Sequence, residues 1–110
     1  MFTGICTGTH AGTASETIHG SLKGRRIFLD PGHGGTAAND PLRTGLYGIT
    51  EEALNLRVGL FLRDMLVQAG AIVVMSRTAD SDVSLPDRVR AAVQSRPDIL
   101  VSIHHNATLV

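Results

Sequence analysis

Arg26-Ile27-Phe28-Leu29-Asp30-Pro31-Gly32-His33-Gly34-Gly35 is the stretch on which the architecture turns. Its apolar run ends at Pro31-Gly32, a turn signal, so it reads as a short β-strand that empties into a glycine-rich turn. His33 then sits just past the carboxyl end of a strand, where open α/β sheets place their chemistry. Ile99-Leu100-Val101-Ser102-Ile103-His104-His105-Asn106 repeats the arrangement with two histidines. Between the two lies an acidic pair, Glu51-Glu52, opening a long amphipathic segment. Two histidines and one carboxylate from three separate elements match a three-ligand zinc site with an open fourth position, the arrangement of a hydrolase.

The remaining elements follow from periodicity. Thr50 is placed to cap a helix whose first turn holds Glu51 and Glu52, where the helix dipole favours negative charge. Leu54, Val58, Phe61, Leu62, Met65 and Leu66 recur at helical spacing and predict its inner face, and Gly70 reads as the C′ glycine that ends it. Ala71-Ile72-Val73-Val74-Met75 is apolar throughout, as expected for a strand covered on both faces. A second helix is predicted over roughly residues 86–95, with Pro86 in its first turn and Val89, Ala92 and Val93 as its inner stripe. The order β-α-β-α-β with short connections predicts an α/β, three-layer fold built on a mostly parallel sheet. With right-handed crossovers and one reversal of direction, the strand order is 2-1-3, which brings His33 and His104 to the same rim. The long loop before Thr50 can fold the acidic pair over that rim, and a loop of this length is expected to be functional.

Composition narrows the classes. Hydrophobic residues make up 43% of the 110-residue chain, which argues for one domain with one modest core rather than disorder. Ten Lys and Arg balance ten Asp and Glu, with no basic stripe, so nucleic acid is not an expected partner. No segment reads as a membrane span or a membrane-surface helix. Cys6 is alone, so no internal disulfide is expected, and the compartment stays open. Residues 1–23 are rich in Gly, Thr, Ser and Ala without periodicity, and read as a flexible lead-in without the features of a signal peptide. His10 and His19 fall there and read as solvated tail histidines. The domain is expected over residues 24–110.

Each site candidate has a plainer reading. The glycine-rich turn lacks the Gly-Lys-Ser/Thr ending and the G-x-G-x-x-G pattern, which weakens a phosphate-loop reading. Glu51 and Glu52 serve equally as dipole-favoured helix starters. His105 is expected to face away from His104 and to form pocket wall. Asn106 either lines the site or caps a turn. Asp30 and the loop carbonyls are candidates for fixing an imidazole's orientation. Arg77 and Arg88 are candidates for binding a substrate carboxylate, but the expectation is that they brace loops or the surface through Asp80, Asp82 or Asp87.

Four segments together resemble a known family. Asp30-Pro31-Gly32-His33-Gly34-Gly35, then Glu51-Glu52-Ala53-Leu54-Asn55-Leu56, then Met75-Ser76-Arg77 with Asp80, Val83, Leu85 and Arg88, then Val101-Ser102-Ile103-His104-His105-Asn106-Ala107 resemble the zinc-dependent N-acetylmuramoyl-L-alanine amidases, bacterial cell-wall hydrolases of the Amidase_3 type. The resemblance implies Zn2+ held by His33, Glu51 and His104. It prefers Glu51 over Glu52 because Glu51 lies four residues before Asn55. His105 and Asn106 become candidates for substrate contacts. It further implies peptidoglycan as partner, a place in the cell envelope (periplasm or cell wall), and hydrolysis of the amide between N-acetylmuramic acid and L-alanine.

One departure stands out. The family's catalytic glutamate lies in a later strand, and this chain has no Glu after Glu52. The match covers roughly the first half to two-thirds of a family domain, so the expectation is a fragment or truncated product whose catalytic carboxylate is missing. The alternative that this raises is a zinc-binding module that recognises cell wall or protein without turning substrate over. A nucleotide-binding α/β domain, or a zinc esterase or deacetylase, are the remaining readings.

Overall fold

A computed structural model describes residues 21–35, 44–45 and 48–106. Its elements are β1 (Arg26–Pro31), α1 (Glu51–Gln68), β2 (Ile72–Met75), α2 (Leu85–Ser95) and β3 (Ile99–Ile103). All three strands are parallel and their order is β2-β1-β3. Leu29 of the central strand pairs with Met75 on one side and Val101 on the other. Ile27, Phe28 and Leu29 are all buried, as a central parallel strand between two helical layers requires. Ile27 and Leu29 pack with Leu62 and Leu66 of α1, while Phe28 points to the other face, where buried Ala92 of α2 lies. The two helices therefore lie on opposite faces, and the fold is the expected three-layer α/β arrangement.

Most of the expected flexible segment, with His10 and His19, lies outside the described residues. Residues 21–24 form a turn tied to the end of α1: the Leu22 N–H donates to the Ala69 carbonyl (2.9 Å) and the Gly24 N–H to that of Gly70 (3.1 Å). Leu22 also packs against the core.

Capping accounts for the helix limits. The Thr50 hydroxyl accepts from the Ala53 N–H at 3.4 Å. At the other end Gly70 takes φ +94°, its N–H donates to the Val67 carbonyl, and the Ala71 N–H reaches back to Leu66. This double closure needs a left-handed residue at C′, which glycine adopts at little cost.

Both helices differ from the expected inner stripes. On α1 the buried residues are Glu52, Asn55 and Gly59, whereas Val58, Phe61 and Met65 are exposed, Phe61 by 71%. The cause is close approach at Gly59, where a Cβ would lie 2.8 Å from Pro31 Cγ. Only hydrogen fits there, so the line Asn55, Gly59, Leu62, Leu66 turns to the sheet and the other half of the apolar surface turns out. On α2 the buried residues are Arg88, Ala92 and Ser95, while Val89 and Val93 are exposed. Arg88 finds its partners at the end of β1, and this orients the helix.

Candidate metal centre

The centre is assembled from three strand and helix ends. His33 follows β1 in a left-handed conformation, φ +58°, which is uncommon outside glycine though less so for histidine. Gly32 has no room for a side chain, because a Cβ there would lie 2.2 Å from His104 Cε1. The His104 ring thus lies directly over the backbone of the first turn. Glu51 is the first residue of α1, beyond the Thr50 cap. His104 is the first residue beyond β3.

These three side chains converge. His33 Nε2 lies 3.4 Å and His104 Nδ1 3.0 Å from the same oxygen, Glu51 Oε1. The two imidazoles meet edge to face with centroids 4.9 Å apart. One donor atom from each residue falls within 4.8 Å of the others. Donors that sit about 2.0–2.1 Å from a tetrahedral zinc lie about 3.3–3.4 Å from one another, so the set fits the ion with small side-chain adjustments. Two imidazole nitrogens and a carboxylate are also a common zinc donor set. Burial pushes the Glu51 carboxyl up. Hydrogen bonds from His104, the His105 amide and Asn55, with the charge of His33, outweigh burial and hold it below its ordinary value.

The neighbouring carboxylate has a different fate. Glu52 is buried, and its Oε2 has no hydrogen-bond partner among the described residues. Its backbone carbonyl accepts from Arg77 at 2.8 Å. The structure thus separates the acidic pair: Glu51 joins the two histidines, and Glu52 is buried apart from that cluster.

Arg77 and Arg88 brace the site, though not through the aspartates expected from sequence. Arg77 donates from Nε to the Pro31 carbonyl and from one terminal nitrogen to that of Gly32, both at 2.9 Å. Burial and then the Arg88 charge draw its pKa down, yet a guanidinium stays ionised at neutral pH. Arg88 donates to the carbonyls of Val83 (2.9 Å), Pro31 (2.9 Å) and His33 (2.6 Å). It also pairs with Asp30 at 2.7 Å. Asp30 therefore serves this arginine rather than an imidazole. The physical reason is that parallel strand ends leave carbonyls without sheet partners, and forked donors satisfy several at once.

Asn55 was visible in the sequence only as part of a motif, and its helical spacing from Glu51 is the signal that places it. It is fully buried, donates from Nδ2 to the Gly32 carbonyl (3.1 Å), and reaches Glu51 Oε1 at 3.5 Å. His105 is half-buried. Its backbone N–H donates to Glu51 Oε1 at 3.1 Å and its Nδ1 lies 2.7 Å from Asn55 Oδ1. Asn106 is exposed at the end of the described residues. A cavity of about 350 Å³ opens beside the cluster, with Asp30, His33, Asp82, Leu85, Arg88 and His104 among its walls.

Fold and site together define an α/β protein with a His–Glu–His cluster suited to a divalent metal at the carboxyl rim of a parallel sheet. The sequence profile of the N-acetylmuramoyl-L-alanine amidases matches residues 27–109, and the chain belongs to that family. It is 44% identical over 84 residues to the sporulation-specific N-acetylmuramoyl-L-alanine amidase of Bacillus subtilis, a match covering 74% of this chain and 31% of that protein. It is 36% identical over 97 residues to LytC of the same organism, covering 84% of this chain and 18% of the relative. Among solved structures, the amidase from Clostridium difficile 630 superposes with a TM-score of 0.69 at 39% identity, covering 78% of this chain and 46% of that one. AmiC2 of Nostoc punctiforme gives a TM-score of 0.68 at 36% identity, over 76% of this chain and 45% of that one. The chain thus spans about a third or less of these curated relatives, and somewhat under half of the solved chains.

Proposed function

We propose that this chain carries the zinc-binding part of an amidase that hydrolyses the amide between N-acetylmuramic acid and L-alanine in peptidoglycan, in the cell envelope. The observation that supports this most is the convergence of His33, Glu51 and His104 within 4.8 Å, in a chain of this family. These three residues would hold Zn2+, which when bound supplies Lewis acidity to a scissile carbonyl and acidifies a water. The protein's own part is to keep the ligands in place. Arg77 and Arg88 hold the Pro31–His33 turn by its carbonyls, Asn55 ties that turn to α1, and the adjacent cavity gives substrate a seat; His105 and Asn106, the candidate substrate contacts, are not among the residues that line it.

A second reading, a zinc-binding module without turnover, is favoured by one observation. Among the described residues Glu51 is a ligand candidate and Asp30 is tied to Arg88, while Glu52 is buried with an unpartnered Oε2 but is not among the three residues that converge at the cluster. Asp82, on the cavity wall, is exposed. A general base would have to come from elsewhere.

Purified chain, loaded with zinc and incubated with cell-wall sacculi, separates the two. Chelator-sensitive release of stem peptide supports the amidase reading. Chelator-sensitive binding of zinc and sacculi without release supports the second. A chain that takes up no zinc sinks both.

A further inference from the structure

A short line of hydrogen bonds leads from His105 into the cluster, and the chemistry of each partner orders it. The Gly32 carbonyl can only accept, so the amide nitrogen of Asn55 must face it, 3.1 Å away. The same nitrogen is the one directed at Glu51 Oε1. Asn55 Oδ1 is then left facing His105 Nδ1 at 2.7 Å, and that ring nitrogen must be the donor. The neutral imidazole therefore carries its proton on Nδ1. Asn55 has no exposed surface in the intact chain, so its Oδ1 relies on this partner to be satisfied.

We propose that His105 is a positioning residue whose imidazole locks the Asn55 amide, and through it presets the Gly32–His33 turn and Glu51 for a divalent cation. This rests on reading His33, Glu51 and His104 as a metal centre. The backbone N–H of residue 105 binds Glu51 whatever its side chain. The Nδ1–H bond to Asn55 belongs to histidine. Without it the amide is free to rotate, and the bond to Gly32 and the contact with Glu51 loosen together. Partners of metal ligands that act in this way typically change metal affinity by about 10–100-fold when removed.

The test uses zinc alone as probe, with affinity measured by competition against a chromophoric chelator. His105→Ala is expected to weaken zinc binding by at least about tenfold while the circular dichroism of the folded chain is retained. His105→Gln, whose amide can donate to Asn55 Oδ1, is expected to recover most of the loss. Equal zinc affinity in parent and His105→Ala overturns the proposal, as does a His105→Gln variant no better than alanine. Nitrogen NMR of the metal-free parent is a readout that needs no variant and no metal. A ring protonated at Nδ1 supports the proposal, and one protonated at Nε2 overturns it. Failure of the parent to bind zinc would instead count against the metal-centre reading, so the two failures are distinguishable.

Discussion

At the scale of single residues, the site depends on groups that touch no ligand position directly. Gly32 is required by the His104 ring, which occupies the place of any side chain. Gly32→Ala should push that imidazole out of line and weaken zinc binding by about tenfold or more, read by chelator competition. Arg88 is the partner of Asp30 and of three backbone carbonyls. Arg88→Met would leave that carboxylate nearly buried and unpaired, and should cost about 3–5 kcal/mol in urea unfolding. Glu51 sets a pH dependence in the metal-free chain. Its folded-state pKa lies below the ordinary 4.5, so its stabilising contribution is present above that value and is lost as pH falls through the folded one. Melting temperature should therefore fall on acidification below about pH 4.5, and Glu51→Gln should flatten that part of the profile. A flat profile in the parent would show that the cluster's hydrogen bonds do not hold in solution.

At the scale of elements, close packing decides which face of α1 looks inward. A methyl group at Gly59 would sit 2.8 Å from Pro31 Cγ and 3.3 Å from Met75 Cε. Met75 can move, but the Pro31 ring belongs to the central strand and cannot. Alanine gains about 1 kcal/mol of helix propensity over glycine, while overpacking costs about 1–3 kcal/mol. The clash should win, and Gly59→Ala is expected to destabilise by about 1 kcal/mol in denaturant titration. Glu51 and Asn55 ride on the same helix as Gly59, so the same variant should also lower zinc affinity. The apolar spacing of α1 was legible in the sequence because hydrophobic periodicity reports that a helix has an apolar side. It was not legible which part of a broad apolar surface faces the sheet. That choice was made by one glycine and by buried Asn55, neither of which scores as hydrophobic. On α2 a buried arginine overrode the valine stripe in the same way.

At the scale of the molecule, β3 is an edge of the sheet among the described residues, and Ile99 and Leu100 on it are more than half exposed. Val89 and Val93 extend that surface on α2. Unpaired strand edges beside apolar surface favour association. The chain as it stands should bind a hydrophobic dye and self-associate with rising concentration. Leu100→Lys with Val93→Lys should reduce both, as checked by dye fluorescence and sedimentation velocity. A strictly monomeric parent over a wide concentration range would contradict the expectation.

The local signals of this chain determined element types, their order, the parallel sheet and the placement of His33 and His104 at strand ends, because turn residues, helix caps and apolar period act over a few neighbouring positions. Family membership was legible for a related reason: the glycine, histidine, glutamate and arginine positions carry steric and bonding demands that few other residues meet. Only the tertiary structure decided which of Glu51 and Glu52 meets the histidines in space, what Asp30, Arg77 and Arg88 bind, and that Asn55 and His105 stand behind the cluster. Those outcomes depend on the rotation of a helix about its axis and on carbonyls left over at strand ends, and both arise only once distant segments have packed together.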